Sequence, residues 1–155
     1  SHRHERAMSR MGVTVLEAEI KHDEKSLKQQ LIEQAKIQGA PYGIRIRNAS
    51  GGETSTEAYD FQAFLGDVDL ASRIYPDGRE ELVRGVNFIG TPLNAIHGII
   101  AAGNRQEIDN AWCGAESGFV PVSTISPALL IRHLELQSKA ETPYTQYCYP
   151  MPGDE

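Results

Sequence analysis

The sequence predicts an α+β fold: a mainly antiparallel β-sheet with two helices, at about 24–38 and 92–102. Three observations lead there. Runs of alternating, β-branched residues recur along the chain, the period-2 signature of half-buried strands. Only two segments carry apolar residues at helical spacing between helix start and stop signals. Finally, Pro76-Asp77-Gly78-Arg79 is a strong turn between two strand-like runs, with proline presetting φ and glycine free to take positive φ. That turn makes its flanking strands an antiparallel hairpin.

Val13 to Glu19 alternates and opens the chain as a strand. Ser26 with Gln29 forms a capping-box pattern, and Leu27, Leu31 and Ala35 share one helical face. Gly39 and then Pro41 stop that helix, as a left-handed cap and a residue that cannot continue the turn. Tyr42 to Arg47 alternates apolar and basic residues, so it is a half-buried strand with Arg45 and Arg47 on its wet face. Residues 48–56, rich in Gly, Ser and Thr, read as a loop. Gly51-Gly52 lacks the spacing of a phosphate-binding loop, which excludes a nucleotide site of that kind.

Tyr59 to Gly66, Ala71 to Tyr75 and Glu81 to Ile89 read as further strands around the 76–79 turn. Thr91-Pro92 marks the second helix start, a hydroxyl cap followed by proline. Leu93, Ile96, Ile99 and Ile100 form its stripe, and Gly103 or Asn104 ends it. Phe119 to Ile125 and Ala128 to Gln137 are the last two strands, divided by Ser126-Pro127. Periodicity ends at Ser138; residues 141–155 hold three prolines and read as a tail. The organisation is an upstream remnant or linker at 1–8, one domain at 9–138 and a proline-rich tail at 139–155.

The totals exclude several classes. A chain of 155 residues with 21 acidic against 15 basic side chains has net charge −6, which argues against direct nucleic-acid binding and against an anionic membrane surface. No apolar run reaches the eighteen or so residues of a membrane-spanning helix. Residues 1–10 are polar and basic, without the apolar core of a signal peptide. Two cysteines, Cys113 and Cys148, are too few for a disulfide framework, so a reducing cytoplasm is expected. The first residue is serine, and the start reads as an internal cut.

Chemistry centres on Trp112-Cys113-Gly114-Ala115-Glu116-Ser117-Gly118-Phe119-Val120-Pro121-Val122-Ser123. Glycines leave little bulk around the sulfur. Cys113 has three readings: a packed thiol, a metal ligand needing His, Cys or carboxylate partners, or a nucleophile needing a histidine base. The five histidines are His2, His4, His22, His97 and His133, and none forms a two-histidine zinc helix. His97 belongs to the polar side of its helix. His97 or His133 would be the base in the nucleophile reading. No carboxylates are paired by spacing for acid–base work. On the residues alone, the sequence stops at an α+β domain with one notable cysteine.

Several motifs stand in a specific order: Ser9-Arg10-Met11, Tyr42-Gly43-Ile44, Gly51-Gly52, Leu82-Val83-Arg84-Gly85 and Gly90-Thr91-Pro92-Leu93. Ala102-Gly103-Asn104, Cys113-Gly114, Val120-Pro121-Val122-Ser123 and Pro127-Ala128-Leu129-Leu130 follow. In this order the chain resembles, over about residues 9–138, the C-terminal domain of the TldD/PmbA family of zinc metallopeptidases, also called modulators of DNA gyrase. The resemblance implies one zinc ion, held by two histidines of an HExxxH helix and a cysteine that Cys113 matches, the TldD-like type. It also implies cleavage of peptide or unfolded-protein substrates and dimers of like or related subunits. The HExxxH motif is absent from these 155 residues. The expectation is therefore a C-terminal part that supplies one zinc ligand, part of the substrate cleft and a dimer interface, and is inactive alone. The alternative is a noncatalytic scaffold or interaction domain with Cys113 a structural thiol.

Overall fold

The computed structural model describes residues 10–55, 63–115 and 118–139. They form eight strands and two helices in an α+β arrangement: β1 (Val13–Val15), α1 (Glu24–Ile37), β2 (Gly43–Ser55), β3 (Ala63–Ile74) and β4 (Glu80–Val83). β5 (Val86–Gly90), α2 (Pro92–His97), β6 (Ile99–Ala115), β7 (Gly118–Ile131) and β8 (Glu135–Ser138) complete them. One sheet has the order β1-β7-β6, and the other runs β2-β3-β5-β8 with β4 also on β3. Every strand pair is antiparallel except β1 with β7. The mainly antiparallel sheet with two helices is thus present. The expected upstream remnant and proline-rich tail, with His2, His4, Cys148 and the Tyr59 end of the third strand, lie outside the described residues.

α1 matches its expected span, but its cap is different. Asp23, not Ser26, is the N-cap; its carboxylate accepts the Ser26 amide at 2.6 Å. Aspartate one residue before the first turn satisfies an orphan N–H and also meets the positive end of the helix. The chain leaves α1 through Gly39, in the left-handed region at φ 68°. Leu31 then lies directly over Gly43 at the start of β2. With buried Ala35, it seats the helix on the larger sheet.

β1 ends at Val15 rather than Glu19, and the strands expected at 59–66 and 71–75 run together as β3 from Ala63 to Ile74; four further boundaries differ from the sequence reading. Residues 48–55 belong to β2, which pairs with β3 down to Ser55 opposite Ala63 through register shifts at Ile46/Asn48, Asn48/Ala49 and Ala49/Gly51. Bulges absorb the small and polar residues that resemble a loop. The return from the 76–79 turn is broken in two at Arg84-Gly85, where Gly85 takes φ 67°; β4 and β5 then pair with different stretches of β3. α2 stops at His97, and Ile99 and Ile100 enter β6 opposite the end of β7. Two adjacent β-branched residues gain more from strand pairing than from a helix crowded at χ1. Thr91 is the α2 cap by position, yet its side chain makes no cap hydrogen bond.

The fourth difference concerns proline. β7 runs unbroken through Pro121 and Pro127, and the break before β8 falls at residues 132–134. Ser123 donates its N–H to Gly12 on the β1 side. Backbone alternation puts Pro121 on that same side, beyond the end of β1. The missing N–H therefore costs no bond with β6.

Within the described residues the buried apolar set is small: Ala35, Val68, Ala71, Ile74, Ala101, Ala102 and Leu130. A cleft of about 760 Å³ opens beside it, lined by Leu27, Leu31, Ile44, Ile46, Leu130 and Leu136 among others. The tightest approach lies elsewhere, where the Phe88 ring covers Gly66 so closely that an added Cβ would stand 1.9 Å from Cζ. Phe88 also packs on Phe64, with ring centroids 5.6 Å apart. Gly66→Ala forces that aromatic pair aside, and overpacking of this kind costs about 1–3 kcal/mol. Urea denaturation checks this; a loss under about 0.5 kcal/mol, the scatter of surface substitutions, contradicts the packing described.

Candidate functional site

Cys113 stands near the free end of the β6–β7 ribbon, opposite Val120 and two residues before Ala115 meets Gly118. It is a half-buried free thiol. Strand alternation puts it on the face with Ala111, Val120 and Val122, small or β-branched residues that leave the sulfur room. Trp112 and Phe119 project from the opposite face, where the Phe119 ring lies over Gly114. Glu116 and Ser117 at the turn are outside the described residues.

Among the described residues, Arg10 is the side chain that hydrogen-bonds the sulfur. Its guanidinium donates to the Cys113 carbonyl at 2.5 Å and the Gly118 carbonyl at 3.1 Å, and reaches Sγ at 3.5 Å. One side chain thus ties the segment before β1 to both strands of the ribbon. The planar fork of arginine suits such bridging. Arg10 occurs in the Ser9-Arg10-Met11 motif, but no spacing in the sequence joins it to a cysteine 103 positions away.

The histidines do not gather at Cys113. His97 is exposed at the end of α2, and His133 is exposed between β7 and β8 rather than on a strand. His22 bridges to Gly103, and its Nδ1 lies 3.5 Å from the Ser26 hydroxyl. Among the described residues, no three His, Cys, Asp or Glu side chains come together to hold a metal ion. Cys113 is therefore a single donor, and one thiolate does not make a zinc site. Histidine pairing of Cys113, the requirement of the nucleophile reading, is not found among the described residues either. The large cleft does not reach the cysteine.

A second polar cluster spans α1, β2 and β4. Arg45 pairs with Glu24. Arg47 binds Glu80 at 2.7 Å, and Lys28 approaches the same carboxylate at 3.7 Å. Tyr75 donates to Glu81 at 2.7 Å while Arg79 stacks over the Tyr75 ring at 4.0 Å. Arg45 and Arg47, read from sequence as a wet strand face, are thus engaged by carboxylates. The Arg47 hydrogen bond holds the Glu80 carboxyl below its ordinary range, and Arg45 does the same for Glu24. The Tyr75 hydroxyl lowers Glu81. Carboxyls held ionised this way serve as ion-pair partners, not as proton donors near neutral pH.

No family model matches the chain, and no curated protein matches it. Among the described residues, no helix is long and apolar enough to cross a membrane.

Two expectations follow. Arg10→Ala removes charge-assisted bonds at the ribbon's end, where each is worth about 1.5–3 kcal/mol. Amide hydrogen exchange over residues 113–115 and 118–120 should speed up by roughly tenfold or more, since each 1.4 kcal/mol is a factor of ten; unchanged protection contradicts the bridging role. Glu80, depressed in the folded state, contributes stability above its unfolded pKa, and this is lost as pH falls through the folded value. Unfolding midpoints should therefore drop in acid for the native chain and drop less for Glu80→Gln; parallel pH profiles contradict the pairing.

Proposed function

We propose that the chain is the C-terminal part of a zinc metallopeptidase acting on peptides or unfolded proteins, with Cys113 as one of three protein ligands. The remaining ligands, two histidines of an HExxxH helix, come from a segment outside these 155 residues. The chain pairs with a like or a related subunit and works in the cytoplasm. The observation that carries this reading is the placement of Cys113: half-exposed near the end of a two-stranded ribbon, on a face lined by small and β-branched residues, where a second segment can meet it. The motif order from Arg10 to Leu130 supports the same reading. Bound zinc supplies a Lewis acid and an activated water. This chain's own part is to hold the sulfur in place: the ladder fixes the Cys113 backbone, and Arg10 ties the two strands together while reaching Sγ itself at 3.5 Å, a contact that a metal would replace.

A second reading has its own support. Several large apolar side chains on the β1-β7-β6 sheet stand in solvent, as they would in a noncatalytic interaction domain with Cys113 a structural thiol. Metal content separates the two. In the protein that joins this chain to the HExxxH segment, the first reading expects one zinc per chain, lost together with peptide hydrolysis in Cys113→Ala. Equal zinc in both forms, or none in either, removes Cys113 from the metal and leaves the interaction reading.

A further inference from the structure

The cleft of about 760 Å³ runs along α1, between the helix, β2 and the end of β7. Small-molecule sites commonly have roughly 300–1,000 Å³, a mostly apolar lining and a few convergent polar groups. Leu27 and Leu31 of α1 and Ile44 and Ile46 of β2 line this cleft and are only half-buried. They offer apolar surface for a ligand to cover. The charged lining is unlike the rest of the chain. The chain carries net charge −6, yet Lys28, Arg45, Arg47 and Arg132 line the cleft against Glu24 and Glu107. Three of these cations are engaged near the start of α1: Arg45 by Glu24, and Arg47 and Lys28 by Glu80.

Arg132 differs. It stands by the other end of α1, where its backbone N–H donates to the Gly98 carbonyl at 2.8 Å. Its carbonyl accepts from the Gln38 amide, also at 2.8 Å. The backbone is thus held from both sides. Its side chain is exposed. Among the described residues, no carboxylate lies within ion-pair distance of this guanidinium. From Lys28 to Gln38 the helix rises roughly 15 Å, room for an extended ligand. From this we infer that the cleft binds an apolar monocarboxylate of the medium-chain fatty acid class. The alkyl body lies along α1 and the carboxylate sits on Arg132. The planar guanidinium fork matches a carboxylate through two parallel N–H bonds. One unengaged cation balances a single negative charge, whereas a phosphate dianion needs a second. The cleft does not reach Cys113, so the inference is independent of the zinc reading and its failure leaves that reading untouched.

The experiment is equilibrium dialysis of labelled decanoate, decanol and decylammonium, each below its micelle concentration, against the protein as it is made in the cell. The expected result is one decanoate per chain, bound roughly tenfold or more tighter than decanol, with decylammonium weakest. Arg132→Gln should weaken decanoate by roughly ten- to a hundredfold and leave decanol unchanged. Arg105→Gln, at an exposed site on β6 outside the cleft lining, should change neither. Both substitutions replace exposed side chains, which keeps the fold intact. Equal affinity for the three probes overturns the inference, as does decanoate binding unchanged by Arg132→Gln. Retention of no probe overturns it too. So does decanoate binding that appears only once residues 140–155 are removed, since that segment is then the occupant of the cleft.

Discussion

The arrangement depends on one ladder, the pairing of β6 with β7 from Ile99 opposite Ile131 to Ala115 opposite Gly118. It builds a two-stranded ribbon, to which β1 adds only a short parallel edge. Because side chains alternate along a strand, this register sends Cys113 to one face and Trp112 to the other. A slip of one residue would exchange them. The site and the apolar face are two sides of the same register.

The larger sheet plays a different part. Phe88 over Gly66 and Leu31 over Gly43 are close approaches that only glycine permits. They fix β5 on β3 and α1 on β2. Around the rim, Glu24, Arg45, Arg47 and Glu80 link the helix to β2 and β4 through ion pairs. Such partly exposed pairs add little individually, and their sensitivity to acid is the measurable consequence of the lowered carboxyl pKa values. Among the described residues, the hydrogen bonds of Cys113 outside its ladder go to Arg10 and not to this sheet, whose part is to support the scaffold.

Much of this was readable from the residues. Leu27, Leu31 and Ala35 marked α1, and Pro76 to Arg79 marked the hairpin turn. What escaped had local sequence saying one thing and tertiary pairing another. Residues 48–55 have loop composition, yet β3 offers them a partner across bulges. Pro127 was read as a strand break, while Pro121 was read within a strand; β7 runs through both, and proline is tolerated where its missing N–H faces away from a partner strand. Ile99 and Ile100 fit a helical stripe until β7 competes for them. At the candidate site, Cys113 was visible from its glycine-rich surroundings. Arg10 was not, because a contact over 103 positions leaves no periodic trace.

The central proposal is that Cys113 presents its sulfur to a metal completed by another segment. Cobalt substitution of a longer protein that includes the proposed HExxxH segment tests it most directly. The account predicts a cobalt–thiolate charge-transfer band in the near ultraviolet, absent from Cys113→Ser at equal cobalt loading. A spectrum identical in both forms would contradict it.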